Sequence, residues 1–138
     1  MLNTLIDAGP LIALFDKDDQ YYTKVKKHFQ YLRGNLVTTW PVIAETAHML
    51  DFNIRVQIDF MKWLERGSLE IFALKISNLH RIIELSEKYA DVPMDLADAS
   101  LMIASEQLGI TQILSLDSDY HIYRNDKKIK LFNLLDGF

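Results

Sequence analysis

Short apolar runs alternate along the chain with longer segments in which apolar residues recur every three or four positions. The short runs are typical of strands buried on both faces of a sheet. They predict strands at 2–6, 36–39, 69–74, 112–116 and 129–135. The segments between them have the spacing of amphipathic helices. This alternation predicts an α/β fold, a three-layer α/β/α sandwich with a mainly parallel central sheet of four or five strands.

Proline and glycine mark the ends of the predicted helices. Proline fits the first turn of a helix, and glycine favours the left-handed residue that closes one. The three prolines and three of the glycines have these positions: Pro10, Pro41, Pro93, Gly34, Gly67 and Gly109. The segment 8–10 is expected to turn the chain into a short helix at 11–15. The longest helix is predicted at 94–109, with Asp95 able to cap its start.

Length and composition suit one domain spanning residues 1–138, large enough for a real core. Hydrophobic residues make up 49% of the chain, and no run approaches the roughly 18 apolar residues of a membrane span. The first residues lack the basic lead of a signal peptide. Cysteine is absent, which excludes disulfides and thiolate metal sites and is compatible with the cytoplasmic location that we expect.

The formal net charge of −4 gives the whole molecule no cationic field that would attract nucleic acid. Basic residues cluster only locally, at 24–33 and 124–130. A solvated surface explains both clusters as well as a binding role does. The charge disfavours a passive nucleic-acid binder. The same charge is a weaker argument against an enzyme whose acidic residues hold cations, because two divalent ions would neutralise the net charge of −4.

Asp98 lies on the apolar face of the longest predicted helix, together with Leu101 and Met102. A buried carboxylate is costly unless something pairs with it. One explanation is a capping pair between Asp95 and Asp98 at the positive end of the helix dipole. The other is that Asp98 belongs to a site.

Four acidic residues are expected at one edge of the sheet, where the carboxyl ends of parallel strands bind ligands. Asp7 follows the first strand and Asp117 follows the fourth, while Glu45 and Asp98 lie in the first two turns of helices. Each has a simpler explanation alone: Asp7 as a helix cap, Glu45 as a solvated side chain and Asp117 as the opening of a turn. Together they predict a shared crevice.

Carboxylates that cluster repel one another unless cations neutralise them. Ligand sets made only of oxygen suit Mg²⁺ or Mn²⁺, which retain water and leave room for a phosphate. Ions held in this way can activate water and stabilise the oxygens of a phosphodiester in hydrolysis. The acids therefore predict a metal-dependent phosphodiesterase.

Four motifs occur in a fixed order between Leu5 and about Leu135. They are Leu-Ile-Asp7-Ala-Gly-Pro, Val-Ile-Ala-Glu45-Thr-Ala, Met-Asp-Leu-Ala-Asp98-Ala-Ser-Leu and Leu-Ser-Leu-Asp117-Ser-Asp-Tyr. This pattern resembles the PIN domain family, and most of all its single-domain members with the VapC-like toxins. The resemblance implies a parallel α/β/α sandwich and a Mg²⁺- or Mn²⁺-dependent endoribonuclease. It also implies an RNA substrate, an antitoxin partner and a homodimer.

The resemblance gives roles to particular residues. Asp7, Glu45, Asp98 and Asp117 are the expected catalytic and metal-binding acids. Two further residues are weaker candidates, Asp119 as a reserve metal ligand and Arg124 as a contact to phosphate. The chain has Ala8 where the family commonly has serine or threonine, so a hydroxyl near the first acid is missing.

Two other functions compete with this interpretation. A non-catalytic PIN-like interaction module is favoured by Ala8 and by the negative charge. A phosphate-receiving signalling domain also gathers acids at strand ends, but it needs paired acids after the first strand, and the segment Asp7-Ala8-Gly9 lacks the pair. A phosphatase that uses Asp-x-Asp is excluded for the same reason.

Overall fold

The computed structural model describes residues 2–137. Within this range the chain forms five strands and six α-helices. The strands are β1 (Asn3–Ile6), β2 (Asn35–Thr39), β3 (Glu70–Phe72), β4 (Gln112–Leu114) and β5 (Phe132–Asn133). The helices are α1 (Ala8–Phe15), α2 (Tyr22–Tyr31), α3 (Trp40–Met49), α4 (Ile54–Glu65), α5 (Leu79–Lys88) and α6 (Leu96–Leu108). None of these helices is long and apolar enough to cross a membrane.

All strands run parallel in the order β3-β2-β1-β4-β5, which confirms the predicted α/β class and the central sheet. Leu5 of β1 pairs with Val37 on one side and Ile113 on the other. In the sheet, β2 and β3 lie in chain order on one side of β1, and β4 and β5 lie on its other side. The switch point between β1 and β4 is where open parallel sheets form a ligand crevice.

Helix α6 is buried on all sides from Ala97 to Ser105. Its alanine and serine residues allow close packing against neighbouring elements, and it contacts β1, β2, α3 and α5. The Thr39 and Ser100 hydroxyls lie 2.6 Å apart and join the end of β2 to α6. A helix enclosed in this way holds its first turn in a fixed position.

The predicted capping pair is present at the start of α6. The Asp98 N–H donates to Asp95 Oδ1 at 2.8 Å, and the Asp95 N–H lies 3.4 Å from Asp98 Oδ2. Gly109 closes the helix with a left-handed φ of 68°, as its position in the sequence predicts. These contacts fix both the direction of α6 and the orientation of the Asp98 carboxylate.

The prediction that 8–10 forms a turn was wrong, because α1 begins at Ala8. Asp7 Oδ1 accepts a hydrogen bond from the Ala8 N–H at 2.8 Å, which caps the helix one turn earlier than expected. Pro10 is tolerated because the N–H groups of the first turn need no partner within the helix.

The apolar runs overestimate the lengths of the later strands. The structure ends β4 at Leu114 and limits β5 to Phe132–Asn133. Beyond Leu114 the backbone of Ser115 pairs with a side chain instead of a strand. Asn133 Oδ1 accepts from the Ser115 N–H at 3.2 Å, and Asn133 Nδ2 donates to the Ser115 carbonyl at 2.8 Å. The carboxyl end of β4 is thereby positioned by a single asparagine.

Replacing Asn133 with alanine is expected to lower the free energy of unfolding by about 2–3 kcal/mol, because it leaves buried backbone groups of Ser115 without partners. Urea denaturation followed by circular dichroism measures the change. Gln107→Ala, at an exposed position of α6, is the control and is expected to change stability by less than about 0.5 kcal/mol. Equal stability of the two variants would contradict this role for Asn133.

Candidate metal centre

Three acidic side chains meet at the switch point of the sheet. Asp7, Asp98 and Asp117 each offer a carboxylate oxygen, and these oxygens all lie within 4.8 Å of one another. Asp7 directly follows β1, Asp117 follows β4 after two further residues, and Asp98 lies in the first turn of α6. Residues that are about 90 and 110 positions apart in the sequence thus form one cluster.

Asp7 is the most buried of the three acids. Its N–H donates to the Leu114 carbonyl at 3.1 Å, which continues the pairing of β1 with β4. Its carboxylate accepts from the Ala8 N–H and, through Oδ2, from the Ser115 hydroxyl at 3.1 Å. Burial raises the pKa of Asp7 to about 7 against the lowering effect of these hydrogen bonds, and the charges of Glu45 and Asp117 add to the rise.

Two buried tyrosines donate hydrogen bonds to the Asp98 carboxylate. The Tyr120 hydroxyl donates to Asp98 Oδ1 and the Tyr123 hydroxyl donates to Oδ2, both at 3.2 Å. The rings pack edge to face, with centroids 5.2 Å apart. Burial, together with the charges of Asp95, Asp7 and Asp117, raises the pKa of Asp98 to about 7. Burial also raises the pKa of both tyrosines, so each remains a donor near neutral pH.

Asp117 is half-buried and opens the turn after β4. Its Oδ1 accepts from the Asp119 N–H at 2.9 Å, so the turn expected from the sequence is present alongside the acidic cluster. Its own N–H donates to the Ser115 hydroxyl at 2.9 Å. Because that hydroxyl also donates to Asp7, Ser115 connects two of the three acids through one oxygen.

Glu45 lines the cleft in which the three acids lie but stands at its exposed rim. We call this space, of about 300 Å³, the acidic cleft; its polar lining is Asp7, Glu45, Asp95, Asp98 and Asp117. Partial burial raises the pKa of Glu45, and the charges of Asp95 and Asp117 contribute. The Glu45 carboxylate is therefore open to solvent at the edge of the cluster.

Two predicted site residues lie outside the lining of the acidic cleft. Asp119 contributes its N–H to Asp117, while its carboxyl is not one of the three clustered groups. The Arg124 guanidinium donates through Nη1 to the carbonyls of His121, Ile122 and Tyr123, at 2.7–3.0 Å. In this conformation Arg124 closes the turn after β4, and its contact to phosphate stays a prediction.

The acidic cluster fits a hard divalent cation. All of its donors are carboxylate oxygens, the type preferred by Mg²⁺ and Mn²⁺. Burial is the main cause of the raised pKa values of Asp7 and Asp98, and the charges of neighbouring acids add to the rise. A cation among the three carboxylates would offset the cost of deprotonating them. Each hydrogen-bonded carboxylate oxygen keeps a second lone pair for a metal. Asp7, Asp98 and Asp117 are therefore the residues that would hold an ion.

No protein-family model matches the chain, and no curated protein matches its sequence. A search of solved structures finds the crystal structure of VapC20 from Mycobacterium tuberculosis, described as a sarcin–ricin loop cleaving toxin. The two chains superpose with a TM-score of 0.79 over 86% of this chain and 93% of VapC20, at 14% sequence identity. The chain has a VapC-like PIN fold. The acidic cleft lies at the switch point of that PIN fold.

Sequence reasoning assigned no role to Ser115, Tyr120 or Tyr123, although all three contact the acids of the PIN fold. Ser115 is a polar residue within an apolar run, a position that is unusual for a buried strand. The two tyrosines are three residues apart in a segment that is mostly polar. These are detectable signals, but only the structure shows which partners they find. Ser115 also provides Asp7 with a hydroxyl donor despite the alanine at position 8.

We expect Ser115→Ala to weaken Mn²⁺ binding by about tenfold, because residues that orient metal ligands typically contribute on that scale. The variant loses the donor to Asp7 and leaves the Asp117 N–H without its acceptor. Isothermal titration calorimetry measures the affinity, and Ser77→Ala, at an exposed position, is the matched control. Wild-type affinity in Ser115→Ala would rule out the connecting role of this hydroxyl.

Proposed function

We propose that this protein is a metal-dependent endoribonuclease of the VapC-like toxin type. The observation that carries the proposal is the meeting of Asp7, Asp98 and Asp117 within 4.8 Å at the switch point of the sheet. The PIN fold shared with VapC20, a sarcin–ricin loop cleaving toxin, supports the same activity.

In the proposed site, Asp7, Asp98 and Asp117 hold one or more Mg²⁺ or Mn²⁺ ions. Asp119 is the reserve ligand, available if the turn after β4 rearranges. Arg124 contacts a substrate phosphate if its guanidinium leaves the carbonyls that it now binds. Glu45 completes the shell or orients the attacking water from the rim of the acidic cleft.

When bound, the ion supplies charge neutralisation and Lewis-acid polarisation for phosphodiester hydrolysis. The chain supplies the orientation of the ligands, with Asp7 fixed by Ala8 and Ser115 and Asp98 fixed by two tyrosines. Glu45 can accept the proton of the attacking water, because its carboxylate is exposed at the mouth of the cleft. No side-chain nucleophile is required. Because water, and not the 2′-hydroxyl of the RNA, attacks the phosphorus in this proposal, the products should carry no 2′,3′-cyclic phosphate.

The VapC-like assignment also carries proposals about partners and location. We infer an RNA substrate, a small antitoxin that covers the acidic cleft, a homodimer and a cytoplasmic location. A short neighbouring gene for a DNA-binding antitoxin would support the partner. Co-purification of the two chains as a complex, with loss of RNase activity, would test it directly.

The purified protein should cleave RNA in Mn²⁺ or Mg²⁺ and lose this activity in EDTA. The substrate panel contains a sarcin–ricin loop RNA and unstructured oligonucleotides, with products resolved by gel and their ends identified by mass spectrometry. Folded protein that binds Mn²⁺ but cleaves none of these RNAs would favour the rival function, a non-catalytic interaction module.

A further inference from the structure

A second cleft, of about 240 Å³, adjoins the acidic cleft at Asp117. We call it the lysine cleft and define it by Tyr21, Lys24, Ser118, His121, Asn133 and Asp136. Leu116 and Asp117 line both clefts, so the two spaces meet at one of the proposed metal ligands. A polymer held at the acidic cleft can therefore extend into the lysine cleft.

The charge of the lysine cleft differs from that of the acidic cleft. Apart from Asp117 its lining has one acid, Asp136, and two basic residues, Lys24 and His121. Asp136 pairs with the histidine, since His121 Nε2 lies 3.3 Å from Asp136 Oδ1. Lys24 makes no salt bridge to any described residue in the range 2–137. An ammonium without an acidic partner, next to a proposed site of phosphodiester hydrolysis, attracts a second phosphate of the same strand.

The start of α2 adds to this attraction. Tyr21 is the residue that precedes the helix, and Lys24 lies in its first turn, where no acidic side chain is present. The positive end of the helix dipole therefore lies next to Lys24, and Asp19 Oδ1 offsets part of it by accepting a hydrogen bond from the Tyr21 N–H at 2.8 Å. The helix dipole adds to the attraction of a phosphate, which depends mainly on the cavity and on Lys24.

Tyr21 offers an aromatic surface in the same cleft. Its side chain is 37% exposed, and the Lys24 ammonium lies 5.9 Å from the ring centroid. Aromatic rings beside cationic groups bind single-stranded RNA by stacking on a base while the cation contacts the backbone. The volume of the cleft is below the roughly 300 Å³ of a complete small-molecule site, so it suits one nucleotide unit.

We propose that the lysine cleft binds the nucleotide adjoining the scissile phosphate, with Tyr21 stacked on its base and Lys24 against its phosphate. The identity of the polymer as RNA rests on the proposed function. The existence of a nucleotide site in the lysine cleft does not. The lysine cleft would then supply the positive contact that an overall charge of −4 does not provide.

The nucleotide site itself is tested without metal or cleavage. Adenosine 5′-monophosphate is titrated in EDTA into the ¹⁵N-labelled protein, and amide shifts are recorded. We expect shifts at Tyr21, Lys24 and Ser118, their loss in Lys24→Ala and their retention in Lys26→Ala, a lysine of the same helix outside the cleft. No shift at these amides at millimolar nucleotide, or equal shifts in both variants, would overturn the proposal.

The link to catalysis is tested by steady-state cleavage of RNA oligonucleotides in Mn²⁺. We expect Lys24→Ala and Tyr21→Ala to raise KM by about tenfold with kcat and Mn²⁺ affinity unchanged, and Tyr21→Phe to retain the wild-type KM because it keeps the ring. Wild-type KM in all variants would overturn the subsite while leaving the nuclease intact. A wild-type protein that binds the monophosphate but cleaves no RNA would instead refute the proposed function and leave the nucleotide site standing.

Discussion

Replacing Asp98 with asparagine should reduce Mn²⁺-dependent RNA cleavage by at least about 10²-fold while the protein stays folded. The substitution removes the charge of a proposed ligand at the centre of the acidic cluster. Loss of a residue that merely orients a ligand typically costs 10- to 100-fold, so a direct ligand should cost more. Asparagine keeps nearly the same shape, and its backbone N–H still donates to Asp95 Oδ1, so the helix start should survive. Its carbonyl oxygen can accept from one tyrosine hydroxyl, and its amide can donate to the other. Initial rates on a fluorescent RNA oligonucleotide measure the effect.

Two variants complete this experiment. Asp7→Asn should lose activity to a similar degree, since its carboxylate belongs to the same cluster. Asp59→Asn changes an exposed acid on α4, outside both clefts, and should retain wild-type rates. If Asp98→Asn cleaved RNA as fast as Asp59→Asn, the acidic cluster would not be the catalytic site.

Without a divalent ion, the protein should lose stability as the pH rises, and Asp98→Asn should remove part of that loss. The pKa of Asp98 is raised by burial from 3.8 to about 7 in the folded protein. Because the folded state binds the proton more tightly, this stabilising contribution is complete below about pH 4 and disappears as the pH rises through 7. At pH 5 wild-type Asp98 is neutral like asparagine, whereas at pH 8 it is charged and buried.

In EDTA, the free energy of unfolding of Asp98→Asn relative to wild type should therefore increase by about 3 kcal/mol between pH 5 and pH 8. Mn²⁺ should reverse the difference, stabilising the wild type more at pH 8 than at pH 5, because an ion binds the deprotonated carboxylates. Urea denaturation at the two pH values measures both effects. A stability difference that is independent of pH and of Mn²⁺ would show that Asp98 does not titrate in this range.

Much of the fold follows from the alternation of apolar runs and helical spacing. The five parallel strands, the helix start at Asp95 and the helix end at Gly109 are all present where local sequence chemistry predicts them. The juxtaposition of Asp7 with Asp117 follows from a general property of parallel sheets, since both residues come after strands that lie side by side.

The interactions that anchor the acids depend on contacts between distant segments. The sequence posed helix capping and site formation as alternatives for Asp98, but its carboxylate takes part in both. Asp7 likewise caps α1 and Asp117 opens a turn while both lie in the cluster. The local sequence pattern could not show that Asn133 and Ser115 join β5 to the acids. The hydrogen bond from Asn133 to the Ser115 carbonyl spans 18 positions, and the bond from Ser115 to Asp7 spans 108.

Crystals grown with Mn²⁺ would show the position of the ion through its anomalous scattering. We expect an anomalous peak between Asp7, Asp98 and Asp117, about 2.1–2.3 Å from an oxygen of each carboxylate. A peak elsewhere on the protein, or none between these three side chains at millimolar Mn²⁺ and pH 8, would contradict the assignment of the acidic cluster as a metal centre.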